Sequence, residues 1–156
     1  MTKSKKGIGS SDGIAVGKIY LLEKEEVEVT SEKITEEAKE KELKRVSEAF
    51  ESYTRDLENS NVDSEIQKEV ITAHLSMLED PFRTESVENK ITGENQNAEY
   101  ALKTSVDEMA AMMESLDDPY LKERAADYKD IGEWLLYKLA GKEKAYLSNL
   151  PKNTIL

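Results

Sequence analysis

The sequence predicts a mainly α-helical protein in which four helices, arranged as two hairpins, lie between short β-strands near the two ends of the chain. Apolar residues recur at steps of three and four through the middle of the chain, which is the period of an amphipathic helix. Asp80-Pro81 and Asp118-Pro119 each follow such a run. Because Asp caps helices and Pro is favoured at the first helical position, both steps predict the start of a new helical segment.

Residue types near both ends of the chain favour β-strands. Residues 14–22 are rich in Ile, Val, Tyr and Leu, and Asp12-Gly13 predicts a turn that would make residues 8–10 a neighbouring strand. Residues 144–156 predict a return linker and the start of another strand. We therefore expect an incomplete α/β domain, with its first strands in 1–24 and its next strand in 144–156, interrupted by a helical subdomain in 25–143.

The first two helices have clear start signals. Thr35 is placed to cap the first helix, and Ser64 with Gln67 forms a capping box for the second. The second helix should bend at Asp80-Pro81 and end at Gly93. The apolar side of the first helix comprises Leu43, Val46, Phe50, Tyr53 and Leu57. The second carries Ile66, Val70, Ile71, Met77 and Leu78, with His74 among them. The intervening charges, such as Lys39, Glu40, Lys44 and Glu48, predict a solvated face.

The third and fourth helices follow the same logic. Asn95 or Asn97 is placed to cap the third helix, and Asp118 with Pro119 begins the fourth, which should end before Gly141. The apolar positions of the third helix are Ala98, Leu102, Val106, Met109, Met113 and Leu116. Because three Met residues at 109, 112 and 113 cannot all face one core, we expect Met112 to be exposed.

Composition limits the classes of partner. The 156 residues carry a formal net charge of −11, which disfavours nucleic acid and favours a protein with a basic face. There is no Cys, so disulfides and thiolate metal sites are excluded. No apolar run approaches the length of a membrane span, and we expect a cytoplasmic protein.

Few side chains predict catalysis by themselves. His74, the one histidine, lies beside the apolar stripe of a helix, and a structural role is more frequent there than a binding or phosphate-carrying role. Carboxylates alone would have to hold a metal ion, since there is no Cys. The acidic residues of the fourth helix are explained as caps or as a solvated face, so no metal site is predicted; they are Asp117, Asp118, Glu123 and Asp127.

Three stretches carry a specific resemblance. Residues 7–23 (GIGSSDGIAVGKIYLLE), 73–81 (AHLSMLEDP) and 116–132 (LDDPYLKERAADYKDIG) resemble, in the same order, the N-terminal part of enzyme I, the phosphoenolpyruvate-protein phosphotransferase of the bacterial sugar phosphotransferase system. The resemblance implies a phosphohistidine α/β domain interrupted by a four-helix subdomain that docks the carrier protein HPr. It also implies a separate C-terminal barrel that binds phosphoenolpyruvate and Mg²⁺ and mediates dimerisation.

The resemblance assigns docking, not catalysis, to this chain. The family's phosphorylated histidine corresponds to a segment beyond residue 156, so we expect no catalytic residue and no cofactor here, and an inactive monomer in isolation. Positions at or beside the HPr surface are Glu65, His74, Met77, Asp80, Phe82, Met113, Tyr120 and Arg124. Gln67 and Asp127 match positions nearer the active site.

The sequence departs from the family at several docking positions. Phe82 and Arg83 stand where an acidic residue and then Leu are usual, so Arg83 in place of the apolar anchor should weaken docking unless Phe82 fills that pocket. Ile66 and Thr72 stand where some members carry acids. Two alternatives stay open: an acidic helical adaptor for another basic protein, and a nitrogen- or dihydroxyacetone-linked paralogue that binds a different carrier.

Overall fold

Helices account for most of the chain that the structure describes. The structure is a computed structural model, and the residues described are 13–14, 16–19, 26–60, 62–79, 81–142 and 154–155. The elements in chain order are β1 Lys18–Ile19, α1 Glu36–Glu58, α2 Glu65–Glu79, a π-helix Phe82–Glu88, α3 Asn89–Glu94, α4 Ala98–Ser115, α5 Pro119–Leu139 and β2 Thr154–Ile155. The predicted fold class, mainly helical with short strands near both ends, is confirmed.

The chain divides into two compact units, one formed by residues 1–26 with 145–156 and the other by residues 27–144. In the first unit, β1 pairs in parallel with β2, with Lys18 opposite Thr154 and Ile19 opposite Ile155. The strand predicted at residues 8–10 lies outside the described residues. Of the strand predicted at 14–22, the described residues include β1, Lys18–Ile19, and residues 15 and 20–22 lie outside the described residues.

In the second unit, the segment before α1 is held against the turn before α4. Lys33 bridges to Gln96 in antiparallel fashion, and the Ile34 N–H donates to the Asn95 carbonyl at 2.9 Å. The side-chain amide of Asn97 donates to the Thr30 carbonyl at 3.1 Å. The first turns of α1 and α4 are therefore brought together, although the two helices are far apart in sequence.

The second predicted helix is interrupted more strongly than expected. The Ser64 hydroxyl accepts a hydrogen bond from the Gln67 N–H at 3.2 Å, as the capping box predicts. Asp80, at the predicted bend, lies outside the described residues. After Pro81 the chain forms a π-helix before α3. The predicted stop at Gly93 is wrong by one residue: Asn95, at φ 56°, closes α3 because its short polar side chain tolerates the left-handed conformation.

One ion pair follows directly from the wide turn of the π-helix. Arg83 Nε lies 3.3 Å from Glu88 Oε1, a pair separated by five residues. In an α-helix, side chains five residues apart point about 140° away from each other, whereas i→i+5 bonding aligns them. The Arg83 guanidinium also lies 5.9 Å from the centre of the Phe50 ring. The charge of Arg83 is therefore paired within the second unit, the helical unit of residues 27–144.

Helices α4 and α5 form a hairpin with close packing. Asp118 Oδ1 accepts from the Tyr120 N–H at 2.8 Å and Pro119 begins α5, which confirms the predicted start. Gly141, at φ +64°, follows the end of α5, as predicted. A Cβ built on Gly132 would lie 2.7 Å from Val106 Cγ2. The two helices approach each other too closely at this point for any larger residue.

The core joins all the helices of the second unit. Tyr53 of α1 stacks on Trp134 of α5, with ring centres 5.8 Å apart, and Phe82 contacts Tyr128 edge-on at 5.3 Å. Met112 is exposed, as predicted. The largest fully buried apolar side chains are Val46, Val87, Ile91, Leu102 and Leu135. Burial of these side chains supplies the main driving force for folding of the unit.

A partly buried ionic cluster lies beside this core. Arg45 of α1 binds Glu42 of the same helix, at 2.9 Å, and also binds Glu99 of α4. Burial opposes the charge of Arg45, but the hydrogen bonds with Glu99 and Glu42 raise the pKa of its guanidinium above the usual value. Sequence reasoning missed this cluster, because a charged residue between apolar positions predicts solvent exposure. Lys39, expected to be solvated, likewise donates to the Thr92 carbonyl at 2.6 Å.

Glu42 of α1 also caps the N-terminus of α4. Its Oε2 accepts a hydrogen bond from the Ala98 N–H at 2.8 Å, whereas the Asn97 side chain makes no cap bond. Glu42 is only 8% exposed, so water does not replace this acceptor. The first turn of α4 therefore depends on a carboxylate from α1.

Gly132→Ala should destabilise the protein by about 1–3 kcal/mol, because overpacking outweighs the helix propensity gained with Ala. Gly93→Ala is the matched control, since a Cβ at Gly93 meets nothing within 4 Å. The control should be neutral or more stable by up to about 1 kcal/mol. Urea unfolding of the two variants measures the difference, and equal stabilities would contradict the close approach.

Glu42→Ala should cost about 2–4 kcal/mol, because it leaves the Ala98 N–H without its acceptor and Arg45 with one carboxylate fewer. Glu42→Gln keeps an acceptor and should cost less. Glu48→Ala serves as control: Glu48 lies 3.7 Å from Lys44 in an exposed pair, and its loss should cost less than about 0.5 kcal/mol. Similar losses for Glu42→Ala and Glu48→Ala, measured by denaturant unfolding, would refute the capping role.

Candidate functional site

A groove between α2 and α5 gathers most of the polar side chains that the sequence singled out. Its volume is about 280 Å³. The lining residues are Glu69, Val70, Ala73 and His74 from α2, and Tyr120, Glu123, Arg124 and Asp127 from α5. Three carboxylates and one guanidinium give this surface a net negative charge when His74 is neutral. The groove therefore favours a ligand surface that carries positive charge.

His74 is held in place from α1. Its Nδ1 lies 3.1 Å from the Tyr53 hydroxyl, and Tyr53 is buried and stacked on Trp134. Burial lowers the pKa of His74, while the charges of Asp127 and Asp130 oppose this decrease. The structural role expected for His74 and its position in the groove therefore coexist, since one ring nitrogen is anchored and the side chain is half-buried.

Arg124 is preorganised on the opposite wall. Its Nε donates to the Tyr120 hydroxyl at 3.0 Å, and its guanidinium lies 5.1 Å from the centre of the Tyr120 ring. Nη1 lies 3.7 Å from Asp127 Oδ2. The hydrogen bond with Tyr120 raises the pKa of Arg124 further, so the side chain is always cationic. The groove therefore presents one fixed positive charge, Arg124, among three carboxylates.

Four of the predicted site residues meet in this groove: His74, Tyr120, Arg124 and Asp127. Glu65 and Gln67 are exposed in the first turn of α2, where Glu65 pairs with Lys68 at 2.8 Å. Asp80 lies outside the described residues. Glu69 and Glu123 also line the groove and were missed, because an acidic residue on a helix usually belongs to a solvated face.

The predicted apolar anchors lie in the core instead. Met77 is 8% exposed and Phe82 is 4% exposed, with Phe82 packed against Tyr128. Met113 is partly buried against the same core. The sequence left open whether Phe82 fills a pocket at the docking surface; its ring packs in the interior, so little of it is exposed to a partner.

Two aliphatic residues of α2 are exposed to solvent instead of buried. Ile66 is 75% exposed and Val70 is 50% exposed, although both were assigned to the apolar side of the helix. The buried residues of α2 are Met77 and Leu78, so the core covers α2 only in its last turns. Helical periodicity identifies an apolar face, but it does not show how much of that face the rest of the protein covers.

Other classes of site find little support in the described ranges. No group of three or more His, Asp or Glu side chains in them is arranged to hold a metal ion. Among the same residues, no helix is both long enough and apolar enough to cross a membrane.

His74 should titrate in solution NMR with a midpoint below its ordinary value of about 6.5. Asp127→Asn should lower that midpoint further, because the Asp127 carboxylate favours the protonated ring. Since the unfolded chain then binds this proton more tightly than the folded chain, His74 should reduce stability as pH falls below about 6.5.

Asp107→Asn is the control for this titration. Asp107 is an exposed residue of α4 that pairs with Lys103 at 2.6 Å, and it does not line the groove. Its replacement should leave the titration of His74 unchanged. A midpoint above 6.5 in the wild type, or equal shifts in both variants, would contradict the assigned environment.

Comparisons with known proteins identify the family to which the chain belongs. The family model for PEP-utilising enzymes, N-terminal, matches residues 6–124. The phosphoenolpyruvate-protein phosphotransferase of Priestia megaterium is 40% identical over 150 residues, which cover 90% of this chain and 25% of that protein. This chain thus spans about a quarter of the length of that relative, and the same holds for the homologous protein of Bacillus subtilis, with 27% covered.

Solved structures show the same fold. A solution structure of an enzyme I is 36% identical with a TM-score of 0.81, and the match covers 93% of this chain and 60% of that one. The N-terminal domain of a nitrogen enzyme 1 is 20% identical with a TM-score of 0.66, over 80% of this chain and 59% of that one, and shares the fold. The resemblance seen in the sequence motifs is therefore confirmed, and this chain belongs to the family of PEP-utilising enzymes, as an N-terminal region similar to that of enzyme I.

Proposed function

We propose that the helical unit, residues 27–144, docks the small phosphocarrier protein HPr through the groove between α2 and α5. In the complete protein, this docking would serve phosphoryl transfer from phosphoenolpyruvate to HPr, the reaction of a phosphoenolpyruvate-protein phosphotransferase. The observation that carries the proposal is the convergence of His74, Tyr120, Arg124 and Asp127 in one acidic groove. Residues 1–26 and 145–156 would belong to the phosphohistidine domain.

Charge supports a basic carrier as the partner. Glu69, Glu123 and Asp127 face the groove, and the whole chain carries a formal net charge of −11. Such a field accelerates encounter with a positively charged surface and weakens as salt rises. Arg124 breaks this pattern at one point, so a carrier must present an acceptor or an acidic group opposite its guanidinium.

The phosphoryl chemistry itself would lie outside this surface. The Nδ1 atom of His74 is engaged by Tyr53, and the ring is half-buried, which suits a positioning contact better than a phosphoryl acceptor. The Mg²⁺ ion implied by the family finds no suitable cluster of side chains in the described residues. The role proposed for the helical unit is recognition of the carrier.

Titration of the chain with HPr of the same organism tests the proposal. NMR shifts should concentrate at Val70, His74, Tyr120 and Arg124, and the affinity should fall as salt rises. The double variant Glu69→Gln with Glu123→Gln should weaken binding several-fold at low salt and should flatten the salt dependence, because it removes two charges from the groove.

A second double variant separates groove charge from net charge. Glu40→Gln with Glu48→Gln removes the same two charges from the exposed face of α1. It should leave the affinity nearly unchanged. No saturable binding, or shifts spread over α1, would refute docking in this groove, and tighter binding of the nitrogen-linked carrier than of HPr would assign the chain to that branch.

A further inference from the structure

Ile66 and Val70 form an exposed aliphatic step on α2. They lie four residues apart and therefore one above the other on the same side of the helix. Val70 lines the groove, and Ile66 lies one helical turn before it, outside the lining and toward the start of the helix. Tyr120, 59% exposed, supplies apolar surface from α5. Three of the large apolar side chains that the helical unit exposes thus lie in or beside one groove.

The fold gives no reason for an isoleucine at position 66. The side chain is 75% exposed, and Ile is a weaker helix former than Ala or Glu. Position 66 also lies in the first turn of α2, where an acidic residue would be favoured by the helix dipole. Scattered exposed aliphatic residues are common on proteins, but Ile66 lies one turn from Val70, the exposed aliphatic residue that lines the acidic groove.

We propose that Ile66, supported by Val70, determines which carrier the groove accepts. The surface opposite would present an aliphatic or aromatic side chain to Ile66 and Val70, with Lys or Arg side chains beside it that face Glu69 and Glu123. The inference rests on the proposed function, because it names the chemistry of the carrier at the same groove. It assigns an apolar contact to Ile66, a position where some members of the family carry an acidic residue.

The two kinds of contact act on different steps of binding. Long-range attraction between acidic and basic residues raises the association rate and depends on salt. An aliphatic contact is short-ranged, so it slows dissociation and depends little on salt. A groove that uses both would bind quickly through its charges and select the carrier through Ile66.

The Ile66→Glu variant tests this inference, because the direction of its change in HPr affinity distinguishes an apolar contact from a purely electrostatic surface. An added carboxylate facing a basic carrier would tighten binding if charge alone decided affinity. If Ile66 makes an apolar contact, the same variant should weaken HPr binding by tenfold or more, and Ile66→Ala should weaken it by about tenfold. In Ile66→Ala, the slope of log Kd against log salt should equal that of the wild type, and the dissociation rate should rise.

Both variants should fold, because the site is exposed and Ala and Glu are good helix formers. Circular dichroism and thermal unfolding check this. Ile14→Ala and Ile14→Glu are the matched controls, since Ile14 is 96% exposed and belongs to the other unit. They should leave Kd unchanged.

The possible outcomes are distinct. Weaker binding of Ile66→Glu and Ile66→Ala, with normal binding of the Ile14 variants, supports the inference. Unchanged or tighter binding of Ile66→Glu while the wild type binds HPr overturns it and leaves the proposed function intact. No wild-type binding of HPr overturns the proposed function and, with it, this inference.

Discussion

The ion pairs of Arg45 set the relative positions of three helices. Its guanidinium binds Glu42 on α1 and Glu99 on α4, and it donates to the Leu139 carbonyl at the end of α5 at 3.2 Å. Glu42 in turn accepts the Ala98 N–H. Burying these charges is costly, and full pairing offsets the cost. Because the directions of these bonds are fixed, α1, α4 and α5 have one arrangement in which all partners are satisfied.

The groove inherits its geometry from that arrangement. α5 is packed on α4 where Gly132 meets Val106, which determines where Tyr120 and Arg124 stand relative to the rest of the unit. α1 reaches the other wall, because buried Tyr53 contacts His74 of α2. His74 is therefore held by a buried residue that the partner would not touch, whereas Arg124 is held within the groove by Tyr120 and Asp127. Such support by buried neighbours is what keeps a recognition surface preorganised.

Local signals in the sequence predict where helices begin better than they predict the side-chain bonds that cap them. The caps at Ser64 and Asp118 involve atoms two or three residues apart and are present. Thr35 and Asn97 stand at the N-cap positions of α1 and α4, as predicted, but neither makes a side-chain cap bond. Glu42 and Ile66 show the limit. A buried carboxylate and an exposed isoleucine depend on neighbours from distant segments, and periodicity contains no information about those neighbours. The positions of His74 and Arg124 in the site came from a resemblance between motifs, and their juxtaposition required the fold.

The π-helix at Phe82–Glu88 fixes which side of the chain faces the core. Its turns are wider than those of an α-helix, as the pairing of Arg83 with Glu88 over five residues shows. Each residue of an α-helix turns the chain by about 100°, so the loss of one residue there would rotate the residues before the deletion by about that angle relative to α3. Phe82 at the start of the segment, Val87 near its end and Ile91 beyond it are all buried, and such a rotation would turn one side out of the core.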